Sequence, residues 1–252
     1  MTFPIVSRDA DVVYNLGQVK RRIVAACTKA GRRADEVSLL LVTKTVAPDR
    51  ICVAAEAGVT LIGENKVQEL VAKADALNGL TCERHFIGHL QSNKIKQVLG
   101  LVSCIQSLDS VALAEKLDRR LQQEGRAIDV FVQVNTSAES SKFGIEPSGA
   151  LDLARKSARF GTLRIRGLMT IGVFNTTGQM TRQCFAQLRS LREVISAEGI
   201  PDVDLVHLSM GMSLDLEEAI AEGSTMVRVV RSIFGARPSM VDYYWNEADR
   251  GG

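Results

Sequence analysis

Cysteine pairs at metal-binding or redox spacing are absent. The five cysteines, Cys27, Cys52, Cys82, Cys104 and Cys184, are odd in number and far apart. Without a C-x-x-C pair, a structural zinc site and a thioredoxin-like motif are excluded. The cysteines read as small buried apolar residues of a reducing compartment. An excess of one charge is lacking too. Lys plus Arg is 31 against 29 for Asp plus Glu, a net charge of +2, which leaves no electrostatic case for nucleic acid or an anionic membrane. No stretch approaches the roughly 18 consecutive apolar residues of a membrane span. Met1 to Asp11 lacks the basic-then-apolar pattern of a secretory signal, so a cytoplasmic location is expected. There is no H-E-x-x-H, P-loop, G-x-G-x-x-G or G-x-S-x-G, and so no support for metal-dependent hydrolysis or Rossmann-type nucleotide binding. The three histidines, His85, His89 and His207, do not stand at metal spacing and read as hydrogen-bonded rim residues.

What remains is ordinary globular material: 252 residues, 46% apolar and 24% charged. Apolar runs alternate with amphipathic stretches. Asp11 to Ala30 carries Val12, Leu16, Val19, Ile23 and Cys27 at helical spacing, with Gly31 at the C-cap. Ser38 to Thr43 is a continuous apolar strand, as in a parallel sheet covered on both faces. Helical sequence follows at Asp49 to Ala57, then a strand at Thr60 to Ile62 and a helix at Lys66 to Leu77. Strands are expected at Glu83 to Ile87, Val102 to Ile105, Ile128 to Val134, Leu163 to Met169, Val203 to Leu208 and Met226 to Val230. Between them come helices from an Asp109 N-cap to Gly125, at Pro147 to Phe160, Thr181 to Ala197 and Ser213 to Ala221. Eight strands alternating with helices behind one leading helix predict a single-domain (β/α)8 TIM barrel over residues 1–252, with an extra N-terminal helix. A doubly wound open sheet is the alternative. Gly251 and Gly252 read as a loose tail.

In a barrel, chemistry gathers at the C-terminal ends of the strands. Three features stand out there. Lys44 ends an otherwise apolar strand. Burial would lower its pKa and leave an amine able to condense with an aldehyde, or the side chain reaches solvent or pairs with a carboxylate such as Glu64. Ser209-Met210-Gly211 is either a turn whose amides and hydroxyl bind phosphate or a tight loop with Ser213 capping the next helix. Asp215, Glu217 and Glu218 would repel an anion from that helix axis. Arg228 interrupts an apolar strand and needs a partner, either in a structural ion pair or in a site. Lys142 is a further basic candidate near the rim, or a solvated loop lysine.

Lysine after strand one, donors after strand seven and arginine in strand eight form a constellation that resembles the pyridoxal phosphate homeostasis family. The motifs carrying the resemblance are Leu41 to Thr45, Gly63 to Glu69, His85 to Lys94, Val134 to Gly144, Gly167 to Ile171, Leu208 to Asp215 and Gly223 to Arg228. It implies a barrel like the N-terminal domain of alanine racemases, with pyridoxal 5'-phosphate (PLP) held as a Schiff base on Lys44. Asn65 would lie beside the cofactor, Ser209 and the Met210 turn would hold its phosphate, and Arg228 would face the pyridine nitrogen. An arginine there disfavours ring protonation and weakens the electron sink. With only about 20 residues after strand eight, a second domain supplying another acid or base is not expected. The expectation is therefore a monomeric PLP carrier with no committed catalysis and no catalytic or metal residues, passing PLP to PLP-dependent apoenzymes. A PLP-dependent racemase, or a regulatory module with vestigial PLP, are the alternatives. The sequence departs from the family where Gly-Thr normally follows the arginine motif: Val230-Arg231 stands there. Val230 restricts the backbone. Arg231 either compensates as a phosphate ligand or points away, and retained binding is the expectation.

Overall fold

The strand register explains why the chain closes on itself. Leu40 and Arg228 stand side by side, as do Leu41 and Val229, so the eighth strand pairs in parallel with the first. The computed structural model describes residues 3–139, 142–173 and 178–235, and Gly251 and Gly252 lie outside the described residues. The order is α1 (Asp9–Lys29), β1 (Ser38–Val42), α2 (Pro48–Glu56), β2 (Leu61–Glu64), α3 (Val67–Ala72), β3 (Glu83–Phe86), α4 (Ile95–Leu99), β4 (Cys104–Leu108) and α5 (Val111–Glu124). It continues with β5 (Ile128–Gln133), α6 (Ala150–Ser157), β6 (Leu163–Met169), α7 (Gly178–Ala197), β7 (Val203–Ser209), α8 (Leu216–Ala221), β8 (Met226–Val229) and α9 (Arg231–Phe234). The strands form a closed parallel barrel in chain order, the (β/α)8 architecture expected, and the open sheet is excluded.

Successive side chains on a strand point to opposite faces. Leu40, Val42, Leu61, Cys104, Phe131, Met169 and Met226 form a cluster of their own inside the barrel. Leu41, Ile62, Val227 and Val229 pack with the leading helix instead. That helix buries the five residues expected of it. Gly31 follows at φ 66°, and Arg32 donates back to the Cys27 carbonyl at 2.9 Å, closing the helix end. Arg22 ties it to α8 through Glu217 at 2.7 and 2.8 Å.

Boundaries moved where polar groups are buried. β4 runs Cys104–Leu108 rather than from Val102, because Gln106 and Ser107, both fully buried, complete it. The α5 N-cap is Ser110, whose Oγ accepts from the Leu113 amide, while Asp109 pairs with His89 at 3.3 Å. α3 stops at Ala72 and the chain continues in turns. α8 begins at Leu216 behind Asp215, not at Ser213. α4 and α9 were not expected, being only five and four residues long, too short for a periodic signal.

Candidate functional site

Counting by two from Leu40 through Val42 carries Lys44 to the inner side of the barrel mouth. Lys44 is half-buried, not enclosed in hydrocarbon. It lines a cavity of about 510 Å³ with Asn65, Ile87, Ile171, Thr181, Ser213, Asp215, Glu218, Arg228, Val230 and Arg231. Five of the seven residues singled out from the sequence therefore meet in one place. The Glu64 carboxylate has a different cation, Lys73, at 3.0 Å.

Asn65 follows β2 directly. Its amide donates to its neighbour Glu64 at 2.8 Å. Its side-chain Oδ1 is buried yet has no hydrogen-bond partner among the described residues, an arrangement that a ligand donor would complete. Gly88 explains how Asn65 comes so close to β3, since a Cβ on Gly88 would stand 2.0 Å from the Asn65 carbonyl oxygen.

Arg228 is buried at the wall of the cavity. Its guanidinium donates to the Ser209 carbonyl at 2.6 Å, the Ser209 hydroxyl at 2.8 Å and the Thr170 carbonyl at 2.6 Å. Burial lowers its pKa to about 10 and the Asp215 carboxylate opposes that shift, so it stays cationic at neutral pH. Its hydrogen-bond partners are thus two carbonyls and a hydroxyl rather than a carboxylate.

Ser209 and Met210 do not line the cavity. Both are completely buried. The Ser209 hydroxyl donates to Gln106 at 2.7 Å, and the Met210 amide donates to the Met226 carbonyl at 3.1 Å. The next turn of this loop, rather than Ser209, reaches the mouth: Ser213 is a lining residue. Asp215 takes the Met212 amide at 2.5 Å, and burial pushes its pKa up. Val230 adopts φ −133° and ψ −62°. Arg231 borders both the cavity and a neighbouring groove, its guanidinium 4.3 Å from the Phe3 ring centroid.

The histidines divide. His89 is at the rim, stacked on Phe143 at 4.0 Å. His85 and His207 are instead inside the barrel, flanking Phe131. His85 Nδ1 lies 2.7 Å from Gln106 Nε2, so a hydrogen-bonded chain runs from His85 through Gln106 and Ser209 to Arg228. Sequence reading missed Gln106. The available signal was a lone amide in the apolar tract C-I-Q-S-L, which demands buried partners. Lys142 is not a solvated loop lysine, for its ammonium bridges Glu139 and the Gly172 carbonyl, each at 2.7 Å.

Against known proteins, residues 15–238 match the family described as alanine racemase, N-terminal domain. The pyridoxal phosphate homeostasis protein of Aquifex aeolicus is 40% identical over 222 residues, 88% of this chain and 96% of that protein. A crystal structure of a protein from Bifidobacterium adolescentis superposes with a TM-score of 0.87 at 40% identity, covering 93% of this chain and 98% of that one. PipY of Synechococcus elongatus, solved with PLP bound, superposes with a TM-score of 0.73 at 35% identity, covering 79% and 93%.

Proposed function

The chain belongs to the pyridoxal phosphate homeostasis family, and from that membership we propose that it binds PLP covalently through Lys44 and serves vitamin B6 homeostasis as a carrier. One observation carries the reading. A single cavity of about 510 Å³ brings together an amine at Lys44, an orphan buried acceptor on Asn65 and an enclosed cation at Arg228. These groups fit the chemistry of PLP: an aldehyde for the amine, a ring hydroxyl for the acceptor, and a pyridine nitrogen for the cation. Condensation joins the Lys44 nitrogen to the aldehyde carbon and releases one water. When bound, PLP supplies an electron sink whose strength depends on ring protonation.

The chain's own residues decide how that sink is used. Arg228 is held by three hydrogen bonds and cannot act as an acid towards the ring. It favours an unprotonated pyridine and thus holding over turnover. Ser213 and Arg231, both at the cavity wall, are the proposed phosphate contacts. Ser209 lies below the cavity and holds Arg228, and Met210 is tied to Met226. Five free cysteines suit the reducing cytoplasm. PLP-dependent apoenzymes are the proposed recipients and a monomer the proposed form.

Borohydride reduction of the protein with PLP should leave a reduced adduct on the Lys44 peptide, read by mass, and Lys44→Ala should abolish it. An adduct that persists in that variant would overturn the assignment. Assaying the same preparation for amino-acid racemisation decides the racemase alternative.

A further inference from the structure

We propose that Lys73, clamped between Glu64 and Glu69, is a positioning residue that holds the backbone on both sides of Lys44. The inference rests on the reading of Lys44 given above. An ammonium has three protons, and Lys73 directs them to the Thr43 carbonyl at 2.8 Å, Glu64 at 3.0 Å and Glu69 at 2.7 Å. The three side chains are only 12%, 4% and 13% exposed. The same Glu69 oxygen accepts from the Thr45 amide at 2.6 Å. The Thr43 carbonyl belongs to the peptide before Lys44 and the Thr45 amide to the peptide after it. Both peptide planes meeting at the Lys44 Cα are therefore tied to one ion cluster.

Two further bonds extend the hold. Glu64 accepts from the Thr43 hydroxyl at 3.1 Å and from the Asn65 amide at 2.8 Å. The cluster thus sets Lys44 and Asn65 relative to each other through their backbone. The held conformation is an uncommon one. Thr45 has φ 61°, a left-handed value that a β-branched residue adopts only when its surroundings impose it. Stability alone is a poor reason for such a cluster, because buried ion groups are often matched or bettered by hydrocarbon. Precise placement of a nucleophile is a better one, since small displacements cost large factors in rate.

Two readouts separate positioning from mere support. Amide hydrogen exchange at Thr45, in protein without PLP, reports the clamp. The rate at which borohydride-reducible PLP appears on Lys44 reports its consequence. Lys73→Met should speed Thr45 exchange about tenfold or more and slow Lys44 labelling by at least about tenfold, with Lys73→Arg recovering part of both. Should Lys73→Met fail to fold, Glu69→Ala removes the Thr45 acceptor and leaves Lys73 with Glu64. It should show the same two changes, and Glu69→Gln, which still accepts, should restore them. Labelling at the wild-type rate in Lys73→Met or Glu69→Ala overturns the proposal, whether or not exchange has changed. Wild-type protein that cannot be labelled on Lys44 at all would instead bring down the reading of the site.

Discussion

Arg228 grips Ser209 twice, one guanidinium nitrogen donating at 2.6 Å to its carbonyl and at 2.8 Å to its hydroxyl. That hydroxyl in turn donates to the side-chain oxygen of Gln106. Ser209 is therefore a link inside the barrel and not a group displayed at its mouth.

Ser209→Ala should consequently destabilise the protein even without cofactor. It leaves the buried Gln106 oxygen without its donor, at a cost of about 1–3 kcal/mol. Urea unfolding with and without PLP measures this. Equal stability of variant and wild type would remove the hydroxyl from the chain of bonds.

Asn65 should show the opposite trade. Its orphan oxygen is a standing cost that ligand binding relieves. Asn65→Leu is expected to raise the stability of the cofactor-free protein by up to about 1–3 kcal/mol while weakening retention of PLP on dialysis. Thermal melting and absorbance after dialysis read the two halves separately, and a variant that lost both stability and PLP would contradict the account.

Gly88→Ala should disturb the site from one layer away. The new Cβ would meet main-chain oxygen of Asn65 at 2.0 Å, and backbone cannot swing aside as a flexible side chain can. Overpacking of this kind costs about 1–3 kcal/mol. A lower melting temperature accompanied by weaker PLP retention is expected, and a silent substitution would show that β2 and β3 tolerate separation.

His207 should make stability depend on pH. Burial lowers its pKa in the fold, helped by the nearby His85. The unfolded histidine takes up a proton near its ordinary value of about 6.5, and the folded one resists until lower pH. This contribution is thus complete above about pH 6.5 and is lost as pH falls from there through the folded value. His207→Phe keeps a ring against Phe131 and removes the titration. The stability difference between pH 7.5 and 5.5, by urea unfolding, should shrink in the variant relative to wild type.

Lys44 and Arg228 were legible in the sequence because a cation inside an apolar strand has to be explained. Asn65 came through the family motif. Val230 and Arg231 were visible as a departure from it, and both line the cavity. Gln106 was not legible, since the expected fourth strand ended one residue before it and its direction could not be assigned. Lys73 was hidden for a related reason. Seven residues past Lys66, it read as one more polar position on a longer helix, and α3 stops short of it.

The order of apolar runs and turn residues was by itself enough to determine eight parallel strands, the leading helix and the family, because these depend on local periodicity and on motifs a few residues long. Only the closed barrel decided that Ser209 lies below the cavity while Ser213 reaches it, and that Gln106 joins His85 to Ser209. Those pairings bridge residues up to 103 apart in the chain, and the register of strands around the closed sheet, which no local pattern encodes, brings their side chains to the same level.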